Sequence, residues 1–209
     1  MVETSATDEL AAAADRLARV DPALGRVIAA VGPPSLRPPA DTAFAALVRS
    51  ITFQQLAGRA AAAIHGRLLE RLPGGPTPAG VLALSDAELR AAGLSAGKSA
   101  SIRDLAAKVL DGMVPLAGIE ALPDEEVVER LSTVRGIGRW TAEMFLIFQL
   151  RRLDVWPVAD LGVRNGYARL HGLPAPPRPA ELAALGELYR PYRSLAAWYC
   201  WRAAETILP

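Results

Sequence analysis

Cys200 is the only cysteine in 209 residues, which excludes an internal disulfide framework and any four-cysteine zinc or iron–sulfur site. Histidine is nearly as scarce. His65 and His171 have no partner spacing for a metal centre or a triad, and both are read as structural or surface residues. Lysine occurs only at Lys98 and Lys108, so the other 21 of the 23 basic residues are arginine, the side chain better matched to bidentate phosphate contacts. Neither charge sign is in surplus: 22 acidic residues leave a formal net charge of +1, without the basic footprint of many nucleic-acid binders. No apolar run approaches the roughly 18 residues a membrane span needs, and the first thirty residues lack a charged start followed by an apolar core. Neither export nor membrane insertion is predicted, and a reducing, cytoplasmic setting is expected. Internal repeats and strand-type alternation are also missing.

What the chain does contain is helical spacing. Phe44, Leu47, Val48 and Ile51, and again Ile102, Leu105, Ala106, Val109 and Leu110, recur at intervals that place them on one helix face. Asp41 is positioned to cap a helix running through Phe53, Ser85 with Glu88 has capping-box spacing, and Gly93 closes that short helix. About ten helices in an all-α fold are expected, with 51% hydrophobic residues supplying a core for one compact unit or two packed lobes. Proline and glycine collect at 32–39, 73–78 and 174–179, which reads as loops rather than flexible tethers.

The informative stretch runs from Pro123 to Gly172. Pro123, Asp124, Glu125 and Glu126 open a helix with proline and acids where the macrodipole favours them, and Val127, Val128, Leu131 and Val134 form its apolar side. The turn Gly136-Ile137-Gly138 follows Arg135, and a second helix is predicted from about Arg139 to Leu150. Backbone N–H groups exposed at such a hairpin form an anion site suited to a nucleic-acid phosphate, which positions the duplex without reading its sequence. The same glycines also suit an ordinary helix–turn–helix corner. Asp160 precedes a helix over Leu161–Leu170 and has two readings as well: an N-cap, or an ionised carboxylate placed to stabilise oxocarbenium character at C1′ and activate water.

The strings LSTVRGIGRWTAEMF and VWPVAD resemble the helix-hairpin-helix DNA glycosylases, in particular the AlkA-type 3-methyladenine DNA glycosylases. Asp160 lies 24 residues after the first hairpin glycine, a separation like that family's. The likeness extends to VRSITFQQLAGRAAAAIHGRL, GLSAGKSASIRDLA and PYRSLAAWYCW, covering most of residues 41–202. It implies a two-lobed helical fold, with lobes at 37–112 and at 1–36 plus 113–209, and without the N-terminal β-rich lobe of longer members. It implies a monomeric, nucleoid-associated enzyme that hydrolyses the N-glycosidic bond of alkylated purines in double-stranded DNA, with Asp160 as the catalytic carboxylate. Where strand-cleaving relatives carry lysine after the hairpin this chain has Trp140, and one cysteine cannot hold their iron–sulfur cluster. A sodium or potassium ion on hairpin carbonyls is implied by the resemblance alone. The rival readings are a non-catalytic helix-hairpin-helix DNA-binding module and a bifunctional glycosylase/lyase.

Trp140, Trp201 and Trp198 are the candidate lining of a base pocket, Trp201 ahead of Trp198 from its place in PYRSLAAWYCW, although helix tryptophans are often core. A base alkylated on ring nitrogen is cationic and suits an indole face. Met144 departs from a pocket aromatic of relatives and leaves 3-methyladenine, 7-methylguanine, hypoxanthine and etheno adducts all open. Arg135, Gly136, Ile137, Gly138 and Thr141 are assigned to the hairpin grip. Gln55, or its neighbour Gln54, is expected to fill the gap of an extracted nucleotide, the other reading being a solvated turn. Arg164 is placed to contact phosphate or steer Asp160, or to be simply solvated.

Overall fold

The computed structural model describes residues 2–34 and 39–205, with side chains from residue 8. Helices α1 (Val2–Val20) to α12 (Arg193–Glu205) and two short 3-10 turns make up the regular structure, and no strand occurs among the described residues. No described helix is long and apolar enough to cross a membrane. The chain forms two compact units, Pro38–Leu150 and Met1–Arg37 with Arg151–Pro209. The expected boundary near residue 36, and residues 35–38 of the expected 32–39 loop, lie outside the described residues.

The division departs from expectation at one segment. Residues 113–150, which carry the hairpin, belong with 38–112 and not with the Asp160 helix. Helix α7 (Ala96–Leu110) reaches that segment, its Asp104 and Lys108 side chains bonding the hairpin backbone directly. In this unit α3 (Ala43–Phe53) buries Phe44, Leu47, Val48 and Ile51, as its spacing predicts. Its cap is Thr42, whose hydroxyl accepts from Ala45 N at 3.2 Å, one residue after the expected Asp41. The helix stops because Gln54 leaves helical geometry (ψ 132°) and Gln55 enters the left-handed region (φ 56°). After α4 (Gly58–Leu69) and α5 (Pro78–Ala83), the Ser85–Glu88 capping box opens α6 (Asp86–Ala91) as expected, and Gly93 follows at φ 96°. Helices α8 (Asp124–Ser132) and α9 (Arg139–Phe148) flank the hairpin.

The other unit packs α1, α2 (Pro22–Val31), α10 (Leu161–Leu170), α11 (Pro179–Leu185) and α12. Its core includes Leu17, Leu24, Val27, Val163, Leu195 and Tyr199, and truncating such a leucine costs about 2–5 kcal/mol. Gly166 decides how closely α10 meets α12: a Cβ there would stand 1.9 Å from the carbonyl oxygen of Cys200. That approach brings the start of α10 against the late turns of α12. Asp21 is buried beneath the same elements, where its Oδ1 caps α2 through Ala23 N and Leu24 N and its Oδ2 accepts from Tyr189 OH at 2.6 Å. His171 Nε2 lies 3.2 Å from that Oδ2 and its ring packs on Tyr167, the structural role expected of it.

Candidate active site and nucleic-acid interface

Asp160 follows a tight turn, its N–H donating to Pro157 O at 2.9 Å, and it caps α10 with Oδ1 accepting from Val163 N at 2.7 Å. The N-cap reading is therefore correct as geometry. Trp201, on α12, donates its indole N–H to the same Oδ1 at 2.9 Å. Two donors on one oxygen fix the direction of a carboxylate that is 8% exposed. Gly162 leaves room for the pair: a Cβ would come 2.8 Å from Trp201 Cδ1 and 3.1 Å from Asp160 Oδ1. Trp201, expected only as pocket lining, thus also holds the carboxylate.

Trp198 is half-buried one turn earlier on α12, with its ring edge-on to Tyr199 at 5.0 Å and covered by Arg202, whose Cζ is 5.3 Å from the ring. On sequence grounds Arg164 is expected to contact phosphate, to steer Asp160 or to be solvated. It is half-buried, and its Nε donates to Pro177 O at 2.8 Å, pinning the proline-rich 174–179 loop to α10. Burial raises the Cys200 thiol well above its usual range, so that side chain acts as core.

The hairpin sits in the Pro38–Leu150 unit. Ile137 is buried and anchors the turn, its N–H donating to Val134 O at 3.0 Å, while Arg135, Gly136 and Gly138 are exposed. Gly136 is required twice within the protein, by φ 76° and because a Cβ would meet Ser101 Oγ at 2.6 Å. Gly138 is different: its backbone is extended (φ −100°, ψ 175°) and a Cβ would touch nothing within 4 Å. Gly138 is the N-cap of α9, where glycine is an accepted residue, and it leaves the backbone there uncovered. Arg139 ties the start of α9 to Glu125 at the start of α8, so the two helices are also joined beside the turn.

A cleft of about 620 Å³ lies beside the hairpin, lined by Phe53, Trp140, Met144, Thr141 and both glutamines. Trp140 is 45% exposed. Arg49 also lines the cleft, its guanidinium 4.6 Å above the Phe53 ring, and His65 meets that ring edge-on, its pKa lowered chiefly by burial. The two glutamines separate. Gln55 is exposed in a left-handed turn, whereas Gln54 Nε2 donates to Gly136 O at 2.9 Å and lies 3.4 Å from Thr141 Oγ1. Thr141 is buried and faces Gln54 rather than solvent. Sequence reasoning missed Phe53, Arg49, Ser101, Asp104 and the use of both lysines. The one available signal was the rarity of lysine in an arginine-rich chain.

Residues 48–191 match the family model of the HhH-GPD superfamily base excision DNA repair protein. The chain is 41% identical over 162 residues to the DNA-3-methyladenine glycosylase 1 of Schizosaccharomyces pombe, covering 76% of this chain and 71% of that protein. Among solved structures, the Schizosaccharomyces pombe 3-methyladenine DNA glycosylase Mag1 in complex with abasic DNA superposes with a TM-score of 0.84 at 36% identity, over 93% of this chain and 97% of that one. A DNA-3-methyladenine glycosidase from Bacillus halodurans superposes with a TM-score of 0.82 at 35% identity, over 91% and 89% of the two chains. The chain belongs to the HhH-GPD superfamily of base excision DNA repair proteins.

Proposed function

We propose that the protein is a monofunctional DNA glycosylase that hydrolyses the N-glycosidic bond of alkylated purines in double-stranded DNA during base excision repair. The observation that carries the reading is the buried Asp160 carboxylate, held by Trp201 and by the start of α10 in a chain whose relatives are 3-methyladenine glycosylases. A silent DNA-binding module would need Asp160 only as the cap of α10. In the reaction the C1′–N bond breaks and its electron pair leaves with the base. Water then bonds C1′ and gives up a proton, and Asp160 offsets the positive charge that develops on the sugar. Alkylation at ring nitrogen makes the base cationic, so it departs neutral without an acid to protonate it. An electron-rich indole of the kind Trp201 carries beside Asp160 suits that cation.

The hairpin supplies backbone N–H groups for phosphate, with Gly138 leaving the approach open. A monovalent cation on hairpin carbonyls is a further proposal. Thr133 O and Gly136 O each accept one hydrogen bond, from Lys108 Nζ and Gln54 Nε2, and no chemical step is assigned to the ion. The test presents purified protein with duplexes carrying 3-methyladenine, 7-methylguanine, hypoxanthine or an etheno adduct and measures free base. Release of the methylated purines is expected. No release from any duplex overturns the reading.

A further inference from the structure

The two lysines of the chain sit on one face of α7, and each is bound to a backbone carbonyl. Lys98 Nζ donates at 2.6 Å to Thr52 O, at the end of α3. Lys108 Nζ donates at 2.6 Å to Thr133 O, at the end of α8, and at 2.8 Å to Asp104 Oδ2. Between them Asp104 accepts from Arg135 N at 2.7 Å, and Ser101 packs under Gly136. Lys98, Ser101, Asp104 and Lys108 are spaced by three, three and four residues, so they form a single stripe on the helix. One end of the stripe fastens the segment before Gln54-Gln55, and the rest fastens the hairpin. Gln54 closes the loop by donating to Gly136 O.

A compact ammonium suits a lone carbonyl, whereas a guanidinium fork suits paired acceptors. Both lysines of this arginine-rich chain hold a carbonyl near a helix end, and Lys108 pairs with Asp104 as well. Burial lowers the Lys98 pKa, so water is partly excluded from that contact and its geometry is correspondingly firm.

We infer that Lys98 and Gln54 are positioning residues that keep the Gln55 turn in fixed register with the phosphate-binding hairpin, and that they serve extraction of the nucleotide rather than hydrolysis of its bond. The inference rests on the glycosylase reading above. Unstacking a paired nucleotide is uphill. A side chain inserted into the stack can oppose its closing only if the loop behind it does not yield, and this loop is held by two side-chain bonds to carbonyls. Gln54, one of two candidates for insertion on sequence grounds, is thereby committed to the strut, and the exposed Gln55 is the residue it supports.

The experiment compares Lys98→Met, Lys98→Arg and Gln54→Glu with the unaltered protein. Single-turnover release of 7-methylguanine is measured from a fully paired duplex and from one in which the lesion faces an abasic analogue, where little pairing must be broken. Lys98→Met is expected to lower the ratio of paired to unpaired rate about tenfold, the size of losing a charge-assisted hydrogen bond, and Gln54→Glu severalfold, the size of losing a neutral one. Lys98→Arg keeps a donor and is expected to restore part of that ratio. Gln54→Glu changes only a partly exposed side chain, so it folds even where Lys98→Met does not. An equal loss on both duplexes, or no loss on either, overturns the inference while base release by the unaltered protein upholds the glycosylase reading. Absence of release by the unaltered protein overturns both.

Discussion

The indole N–H of Trp201 donates to Asp160 Oδ1 at 2.9 Å, the same oxygen that accepts from Val163 N at 2.7 Å. The residues are 41 positions apart in the chain and meet because α10 lies close on α12 at Gly166. A carboxylate gripped by one oxygen is fixed in direction, and direction is what an electrostatic partner of a short-lived cation must have before the cation forms.

Asp160→Asn tests the charge while sparing the shape. An asparagine oxygen still accepts from Val163 N and Trp201 Nε1, so the melting temperature and affinity for undamaged duplex are expected to stay within experimental error. Excision should fall by roughly 10²-fold or more in single-turnover assays. Near-normal turnover would reduce Asp160 to a helix cap.

Trp201→Phe keeps a ring and removes the N–H. If the indole directs the carboxylate, excision drops by about tenfold with KM little changed, the scale of one hydrogen bond to a charged group. Trp201→Ala, which also removes the π surface, should lose more. Gly162→Ala pushes on both side chains and is expected to resemble Trp201→Phe in kcat. Equal kcat for Trp201→Phe and the unaltered protein would leave Trp201 as packing alone.

Gly138→Ala separates a structural glycine from one that makes way for a ligand. Its Cβ meets no protein atom and its backbone needs no special conformation, so stability is expected to change by less than about 0.5 kcal/mol. Affinity for undamaged duplex should nevertheless fall severalfold, since a methyl group stands where a phosphate approaches. Gly136→Ala is the contrasting case and should destabilise the protein itself, through φ 76° and the Ser101 contact. Unchanged affinity in Gly138→Ala would leave the hairpin as a corner between helices.

Much of this was legible beforehand because it is local. Helix faces, the Ser85–Glu88 box, the turn at Gly136 and the cap at Asp160 each depend on residues within one or two turns. Asp41 and Thr42 are both cap formers, and only the dihedral angles chose Thr42. What was not legible is carried across the sequence: Lys98 to Thr52, Gln54 to Gly136, Tyr189 to Asp21 and Trp201 to Asp160. The placement of 113–150 belongs with these, since Asp104 and Lys108 have helical spacing on α7 but nothing in that spacing names the distant backbone they bond.

Asp104 makes the hairpin sensitive to acid. Burial alone would raise its pKa, but the Lys108 ammonium and the Arg135 N–H bonded to it outweigh that and hold it below the ordinary carboxylate value. A depressed carboxylate stabilises the fold above its unfolded pKa, and that stability is lost as pH falls through the folded value. The melting temperature should therefore decline below about pH 4, less steeply in Asp104→Asn. The effect is small, under about 1 kcal/mol, because the pair is partly solvated. Identical slopes in the two proteins would remove Asp104 from the account.

The product should be an intact strand bearing an abasic site. Strand cleavage by a glycosylase needs an amine that attacks C1′ to form a Schiff base, and the position after the hairpin holds Trp140, which has none. The side-chain amines are Lys98 and Lys108, and each is bonded to a helix-end carbonyl, Thr52 O and Thr133 O. Lys98 is the more serious contender, because burial lowers its pKa and so raises the fraction of free amine. Against that stands its 2.6 Å bond, which points the nitrogen at its own backbone. Borohydride added during turnover is accordingly expected to trap no protein–DNA adduct, and strands should break only after alkali or heat. An adduct that forms with the unaltered protein and disappears in Lys98→Met would reverse the assignment and make Lys98 the nucleophile. One that persists in Lys98→Met and vanishes in Lys108→Met would move that role to Lys108.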